Sequence, residues 1–210
     1  MPDAVTPRSA VDSIIRMDNS LIMENVDIAI AARLRALRLS RSLTLDQLAE
    51  AAGVSRAMIS RIERAEASPT AALLARLCAG LGLSLSAFFT EEGRAMSPLV
   101  RRADQSVWQD PETGYIRRAV SPPGTETTID LVEVDLPAGA RVSFPPHAAS
   151  RNMTQHIWLF EGVLEMTTTD AVHRLEPGDC LFMPVGDGHV FHNPGERPAH
   201  YCVVLDRGAR

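Results

Sequence analysis

Lysine is absent from this chain of 210 residues, and all 21 basic side chains are arginines. Such a bias is typical of a GC-rich coding sequence, although arginine is also the better bidentate partner for guanine and phosphate. The formal net charge of −5 argues against indiscriminate binding of the whole chain to nucleic acid. The charge is uneven, however, because residues 33–76 hold 8 arginines against 4 acidic residues. The remainder of the chain is therefore clearly acidic.

Cysteine is scarce, and long apolar runs are missing. Cys78, Cys180 and Cys202 lie far apart and form no Cys-x-x-Cys pair, which argues against a disulfide framework and favours a reducing compartment. No apolar run approaches the ~18 residues that a membrane-spanning helix requires, and no signal peptide is visible. The sequence therefore predicts a cytoplasmic protein with no membrane partner.

The segment TLDQLAEAAGVSRAMISRIERAEASPT, residues 44–70, predicts two short helices joined by a tight turn. Thr44 and Gln47 have the spacing of a capping box at the start of the first helix. Gly53 stands just beyond that helix, where a left-handed backbone conformation is needed. Ser55 is placed to cap the second helix, so the segment has the pattern of a helix-turn-helix.

The second predicted helix has two distinct faces. Met58, Ile59 and Ile62 supply its apolar face. The opposite face carries small or basic residues, namely Arg56, Ala57, Ser60 and Arg61. A helix of this kind enters the major groove of DNA in helix-turn-helix proteins. The alternative is a helical hairpin inside an all-α domain, since capped amphipathic helix pairs are common.

Residues 28–89 resemble the repressor-like, XRE-type helix-turn-helix family. The resemblance implies an all-α DNA-binding domain of five helices over residues 27–90, with its last two helices at Thr70–Gly82 and Ser84–Phe89. It implies that three residues read base edges: Arg56, Ala57 and Arg61. It implies that four others contact the phosphates: Gln47, Arg64, Ser68 and Thr70.

The same resemblance implies an ion pair between Arg38, near the end of the first helix, and Glu63, at the end of the recognition helix. Such a pair would stabilise the packing angle of the recognition helix, although burial of two charges opposes it. The alternative for Arg38 is a solvated surface arginine.

Two segments lack the pattern of a folded element. Residues 1–26 show no sustained hydrophobic period and predict a disordered tail, ahead of a helix that begins at Ile28. Residues 91–98 combine charge, glycine and proline and predict a linker.

Beyond the linker, residues 99–210 predict a second, all-β domain. Short β-rich runs alternate with turn sequences such as PPG, PAG, EPGD and NPGERP, which is typical of a sandwich or barrel. Seven runs predict strands, at Tyr115–Val120, Thr127–Leu136, Val142–Phe144, His156–Phe160, Leu164–Thr169, Cys180–Met183 and Tyr201–Leu205.

The sequence GDCLFMPVGDGHVFHN, residues 178–193, matches the second motif of the cupin family at every defined position. PAG at residues 137–139 and QHIWLFEG at residues 155–162 resemble the first motif. The resemblance implies a small double-stranded β-helix barrel whose mouth holds a ligand or a metal.

The metal ligands of enzymatic cupins are poorly matched. The glutamate position of the first motif is Gln155, its two histidine positions fall near Ala149 and Arg151, and His189 of the second motif is retained. One histidine and an amide are a poor ligand set, so no metal or other cofactor is expected. The resemblance favours a pocket for an organic effector, lined by Phe144, His147, Gln155, Ile157, Phe182 and His189. A core histidine bonded to the backbone is the alternative for His189.

An XRE-type domain followed by one cupin resembles a class of bacterial transcription regulators. The resemblance implies sequence-specific binding to a double-stranded DNA operator, modulated by a small effector molecule. Because one short helix reads few base pairs, a homodimer on two half-sites is expected. The alternative is a mononuclear-metal cupin enzyme that oxidises a small organic acid and carries an accessory helical domain. Gln155 and the missing histidines oppose that alternative.

Overall fold

The computed structural model describes residues 26–83, 85–89, 97–125, 127–146 and 152–208. Almost all of the predicted tail, most of the predicted linker and the predicted pocket residue His147 lie outside these residues. No helix in the described ranges has the length and apolar character needed to cross a membrane.

Five helices, counted over the described residues, form the N-terminal domain. They are α1 over residues 26–40, α2 (Leu45–Ala52), α3 (Arg56–Glu63), α4 (Ala71–Gly80) and α5 (Leu85–Phe89). The predicted all-α domain is confirmed, with one difference at its start. Val26 is already helical, so α1 is present two residues before the predicted start at Ile28.

The bounds of α2 and α3 follow from their caps. The Thr44 hydroxyl accepts a hydrogen bond from the Gln47 N–H (3.1 Å), and the Gln47 side chain accepts one from the Thr44 N–H (2.8 Å). Gly53 ends α2 with φ of +61°, a conformation that glycine adopts without strain. Ser55 caps α3 by accepting a hydrogen bond from the Met58 N–H (3.3 Å). The predicted capping box and turn are confirmed.

The core of the helical domain is a set of fully buried aliphatic residues from four helices. They include Leu34, Leu48, Ile59, Ile62, Leu74 and Leu77. Burial of each such side chain stabilises the fold by about 1.5–3 kcal/mol relative to exposure. Because Ile59 and Ile62 are one turn apart, their burial directs the opposite face of α3 to solvent.

Ten strands, again among the described residues, form the C-terminal domain. They are β1 (Val107–Gln109), β2 (Ile116–Ala119), β3 (Ile129–Leu136), β4 (Arg141–Phe144), β5 (Thr154–Glu161), β6 (Leu164–Thr167), β7 (Val172–Leu175), β8 (Cys180–Pro184), β9 (His189–His192) and β10 (Ala199–Asp206). Two antiparallel sheets result, in the orders β1-β2-β3-β10-β5-β8 and β4-β9-β6-β7. The predicted all-β cupin barrel is confirmed.

Successive side chains of β5 alternate between the interior and the outer face of the barrel. Gln155, Ile157 and Leu159 face the interior, whereas His156 and Trp158 face outward. β10 pairs with β3 on one side and with β5 on the other, so its long run fixes the register of the larger sheet.

Three strands of the barrel were missed by the sequence prediction. β1 has only three residues, and β7 carries two polar residues out of four with three exposed positions. β9 lies inside the glycine-rich second cupin motif. Each run is too short or too polar to show a strand period of its own, and each is a strand because a neighbouring strand pairs with it.

Candidate DNA-binding surface and interdomain cavity

The three predicted base-reading residues lie on the exposed face of α3. Arg56 and Ala57 are in its first turn, and Arg61 follows four residues after Ala57 on the same side. Arg56 makes a surface ion pair with Asp46 (3.3 Å), in which both side chains are mostly exposed. Such pairs contribute little to stability, so Arg56 is available to another anionic partner.

The four predicted phosphate contacts already have intramolecular roles. The Gln47 amide closes the capping box of α2, and the Thr70 hydroxyl caps α4 by accepting a hydrogen bond from the Leu73 N–H (3.2 Å). The Ser68 hydroxyl donates to the Asp27 carboxylate. The fourth residue, Arg64, forms two hydrogen bonds of 2.7 Å with the Glu66 carboxylate. Of the four, Gln47 and Arg64 are exposed.

The predicted ion pair between Arg38 and Glu63 is confirmed. Two guanidinium nitrogens of Arg38 donate to the two carboxylate oxygens of Glu63, at 2.6 and 2.8 Å. A third bond runs from Arg38 to the Leu43 carbonyl (2.8 Å). Only 10% and 8% of the two side chains are exposed, which rules out a solvated surface arginine. The hydrogen bond to Glu63 raises the pKa of Arg38, and the pair joins the end of α3 to the end of α1.

A cavity of about 110 Å³ lies where the barrel meets the helical domain. α4 contributes Ala75 to its wall, and the segment that follows contributes Leu83 and Leu85. The barrel contributes mainly apolar side chains together with a few polar ones, among them Phe144, Met153, Leu205, Tyr115, Arg117, Gln155 and His189. The helical domain that carries α3 therefore forms part of the wall of this cavity.

His189 and Gln155 are the paired polar groups of this cavity. The Gln155 amide nitrogen lies 3.3 Å from His189 Nε2, and Phe144 stacks on the imidazole with ring centroids 5.3 Å apart. Burial lowers the pKa of His189 to about 4, so the ring is neutral at physiological pH. With Nε2 accepting from the amide, the proton is on Nδ1, which has no hydrogen-bond partner in the described part of the chain.

The predicted pocket needs two corrections. Phe144, Gln155 and His189 line the cavity, but Phe182 is 57% exposed on the outer face of the barrel. Phe182 pairs with His156 in the sheet, so the two side chains share the outer face. Ile157 faces inward as predicted but is fully buried in the core and does not line the cavity.

The side chains at this site do not fit a transition metal. Gln155 occupies the position of the carboxylate ligand of enzymatic cupins, and His189 supplies one imidazole. Within the described ranges, which omit residues 147–151, no group of three or more His, Cys, Asp or Glu side chains lies close enough to hold a metal ion. An amide and one histidine are a weak donor set for such an ion.

Comparisons with known proteins agree with this two-domain arrangement. A family model described as helix-turn-helix matches residues 34–88, and one described as cupin domain matches residues 127–205. The HTH-type transcriptional regulator SutR of Escherichia coli (strain K12) is 27% identical over 183 residues, which cover 87% of this chain and 97% of SutR. This chain belongs to the XRE-type helix-turn-helix transcriptional regulators with a C-terminal cupin domain.

Two further relatives of this regulator span nearly its whole length. The HTH-type transcriptional regulator PuuR of the same E. coli strain is 25% identical over 184 residues, covering 87% of the regulator and 96% of PuuR. The crystal structure of an HTH_3 family transcriptional regulator from Vibrio cholerae has a TM-score of 0.70 at 27% identity. It covers 86% of the regulator and 96% of that chain. The regulator is thus a DNA-binding protein that controls transcription.

Two buried charged residues that sequence reasoning missed lie at the domain boundary of the regulator. Asp110 is 2% exposed and accepts a hydrogen bond from the N–H of Ala71, the first residue of α4 (2.7 Å). A carboxylate at this position stabilises the helix N-terminus. Arg117 of β2 lies over the Phe89 ring of α5, with its guanidinium carbon 5.1 Å from the ring centroid. Two helices of the DNA-binding domain, α4 and α5, therefore each contact a side chain of the C-terminal domain directly.

Proposed function

We propose that the regulator acts as a homodimer in the cytoplasm, and that its cavity binds a small organic effector that changes its affinity for operator DNA. The observation that carries the proposal is the composite wall of the cavity. An effector that touches Gln155 and His189 also meets Ala75 of α4 and Leu85 of α5. Its binding energy therefore depends on how the two domains sit together.

Thermodynamic linkage then connects the cavity to DNA. α4 follows α3 after a short connection, and it is also held by Asp110 of the barrel. If the effector prefers one arrangement of α4 on the barrel, it changes operator affinity, and the operator changes effector affinity by the same factor. An effector with equal affinity for both arrangements shifts nothing.

Catalysis is not part of the proposal. The full-length relatives carry the names of transcriptional regulators, and the Gln155–His189 pair lacks the carboxylate and the further histidines that a metal-dependent cupin enzyme needs.

Substitution of His189 by alanine tests the effector site. We expect operator affinity without effector to stay within about threefold of wild type, whereas the response to a bound effector is lost. The operator is obtained by genome-wide recovery of bound DNA, the effector by a melting-temperature screen of metabolites, and affinity by fluorescence anisotropy. His173→Ala is the matched control, because it removes an exposed imidazole from β7, which does not line the cavity. Loss of DNA binding or of the fold in His189→Ala would assign His189 a structural role instead.

Two features support the proposed homodimer: the small number of base pairs that one α3 can read, and a cluster of exposed aromatic residues. One α3 reads only a few base pairs, so specific binding needs two copies at two half-sites. Trp158, Phe160 and Phe182 lie on the outer face of β5 and β8, with the Trp158 and Phe160 rings 4.8 Å apart. Single exposed apolar residues are ordinary, but a group of aromatic residues on one sheet face is typical of an interface. We assign this face to a second copy of the regulator.

Substitution of Trp158 by serine tests that surface. Half of this side chain is exposed, so its loss leaves the monomer core intact while removing the largest apolar group of the face. We expect the dissociation constant of the dimer to rise by about tenfold or more, as for a central aromatic residue of an interface. Sedimentation velocity measures it, with Val172→Ser, another exposed apolar residue on the other sheet, as the control. An unchanged dissociation constant for the Trp158 variant would place the interface elsewhere.

A further inference from the structure

One positively charged side chain lines the cavity between the domains. Among its described lining residues there is no aspartate or glutamate, and Arg117 is the charged side chain. Burial raises the pKa of Tyr115 to about 12, so its phenol is neutral, and His189 is neutral as well. The remaining polar group is the Gln155 amide. A cation placed in this cavity would meet a like charge, whereas an anion would meet an opposite one.

Arg117 keeps its charge although it is buried. Desolvation lowers its pKa, and the nearby Tyr115 side chain and Asp130 carboxylate oppose that change. Asp130 is itself paired with Arg207 at 3.2 Å, so its carboxylate acts electrostatically on two cations, Arg207 and Arg117. An arginine guanidinium does not lose its proton in proteins and offers donors that match the two oxygens of a carboxylate.

The rest of the cavity suits a small apolar body. Leu83 and Leu85 face it from the helical domain, and Phe144, Met153 and Leu205 face it from the barrel. An apolar protein cavity of ~150 Å³ takes up benzene, which is the size class of this cavity. The ligand that matches these walls has a compact hydrocarbon part of about six to eight carbon atoms.

We propose that the effector is a small monocarboxylate with an apolar body, whose carboxylate binds Arg117 and whose body contacts Leu83 and Leu85. This inference rests on the proposed function, because it names the ligand class of the same cavity. It also identifies where the ligand acts: Arg117 contacts Phe89 of α5, so the carboxylate binds at the point where barrel and DNA-binding domain meet.

Three probes with one body and different head groups test the charge preference. The full-length wild-type protein is titrated separately with benzoate, benzamide and benzylammonium, and its melting temperature is followed. Benzoate is expected to raise it by about 3–6 °C at ten times its dissociation constant. Benzamide is expected to bind at least about tenfold more weakly, and benzylammonium to give no shift. If benzamide or benzylammonium binds as well as benzoate, the carboxylate assignment is wrong, and so it is if no probe binds.

A conservative variant tests whether the carboxylate of the ligand binds Arg117. Arg117→Lys keeps the charge but removes the planar fork, so benzoate affinity should fall about tenfold while benzamide affinity is unchanged. Arg118→Gln is the control, since this neighbour is paired with Glu133 (3.0 Å) and is not a lining residue of the cavity. Equal loss for both probes would show that Arg117 only shapes the cavity and would overturn the proposal. If Arg117→Lys does not fold, the comparison of the three probes on the wild-type protein still tests whether the cavity prefers a carboxylate.

Different experimental outcomes would reject the carboxylate ligand and the effector cavity itself. Binding of benzamide or benzylammonium that His189→Ala abolishes would reject the carboxylate and retain the effector cavity. Benzoate binding that is unaffected by both Arg117→Lys and His189→Ala would place the ligand outside the cavity and reject both.

Discussion

Substitution of Glu63 by alanine is expected to destabilise the helical domain by about 3–5 kcal/mol. The carboxylate receives two short hydrogen bonds from Arg38, and both side chains are about nine-tenths buried. Removal of one partner leaves the Arg38 cation in the interior with the Leu43 carbonyl as its one remaining hydrogen-bond acceptor among the described residues. That residual charge, rather than the lost attraction, accounts for most of the expected change.

The measurement is urea unfolding followed by circular dichroism at 222 nm, which reports the helices. Fluorescence follows the barrel separately, because both tryptophans, Trp108 and Trp158, belong to β strands. Glu66→Ala is the control: it breaks the exposed pair with Arg64 and should leave stability nearly unchanged. A cost for Glu63→Ala as small as that of the control would contradict the assigned burial.

The double variant Arg38→Met, Glu63→Leu separates the cost of an unpaired buried charge from the role of the ion pair in orienting α3. Since no uncompensated charge remains, it should regain most of the lost stability and can even exceed wild type. If the pair also sets the angle of α3, operator binding should remain weakened in this stable protein. Full recovery of both stability and operator affinity would show that the ion pair has no role in orienting the recognition helix.

Local interactions explain why the helix-turn-helix was predictable from sequence. The contacts of Thr44 with Gln47, and of Ser55 with Met58, span three residues, and the turn at Gly53 needs only that residue's conformational freedom. The Arg38–Glu63 pair spans 25 residues, and it was found through the family resemblance rather than from local pattern.

Contacts between distant elements explain what was missed. The strand that contains Arg117 and Arg118 places the two arginines on opposite faces, and its period does not tell which face is buried. The structure buries Arg117 and pairs Arg118 with Glu133. Phe182 was placed on the wrong face for the same reason, because its orientation follows from pairing with β5. Asp110 is a turn residue by sequence, and its bond to α4 follows from the docking of two domains.

Substitution of Arg61 by alanine is expected to weaken specific operator binding by about 1–3 kcal/mol per half-site and to leave binding to random DNA nearly unchanged. The Arg61 side chain is exposed on α3, and its described intramolecular hydrogen bond, to the Glu66 carbonyl, is long (3.5 Å). The variant therefore loses little within the protein, and its effect reports the contact with DNA. Fluorescence anisotropy on operator and scrambled duplexes measures both affinities at the same salt concentration.

Arg64→Ala is the matched control for base readout. This exposed arginine follows α3 and is the predicted phosphate contact nearest to Arg61. Its loss should weaken binding to both duplexes equally and reduce the slope of log affinity against log salt by about one. Because a bidentate contact with guanine depends on the base whereas a phosphate contact does not, the two variants should separate on the scrambled duplex. Equal losses for Arg61→Ala on operator and scrambled DNA would assign Arg61 to the phosphate backbone and leave Arg56 and Ala57 as the base-reading residues of α3.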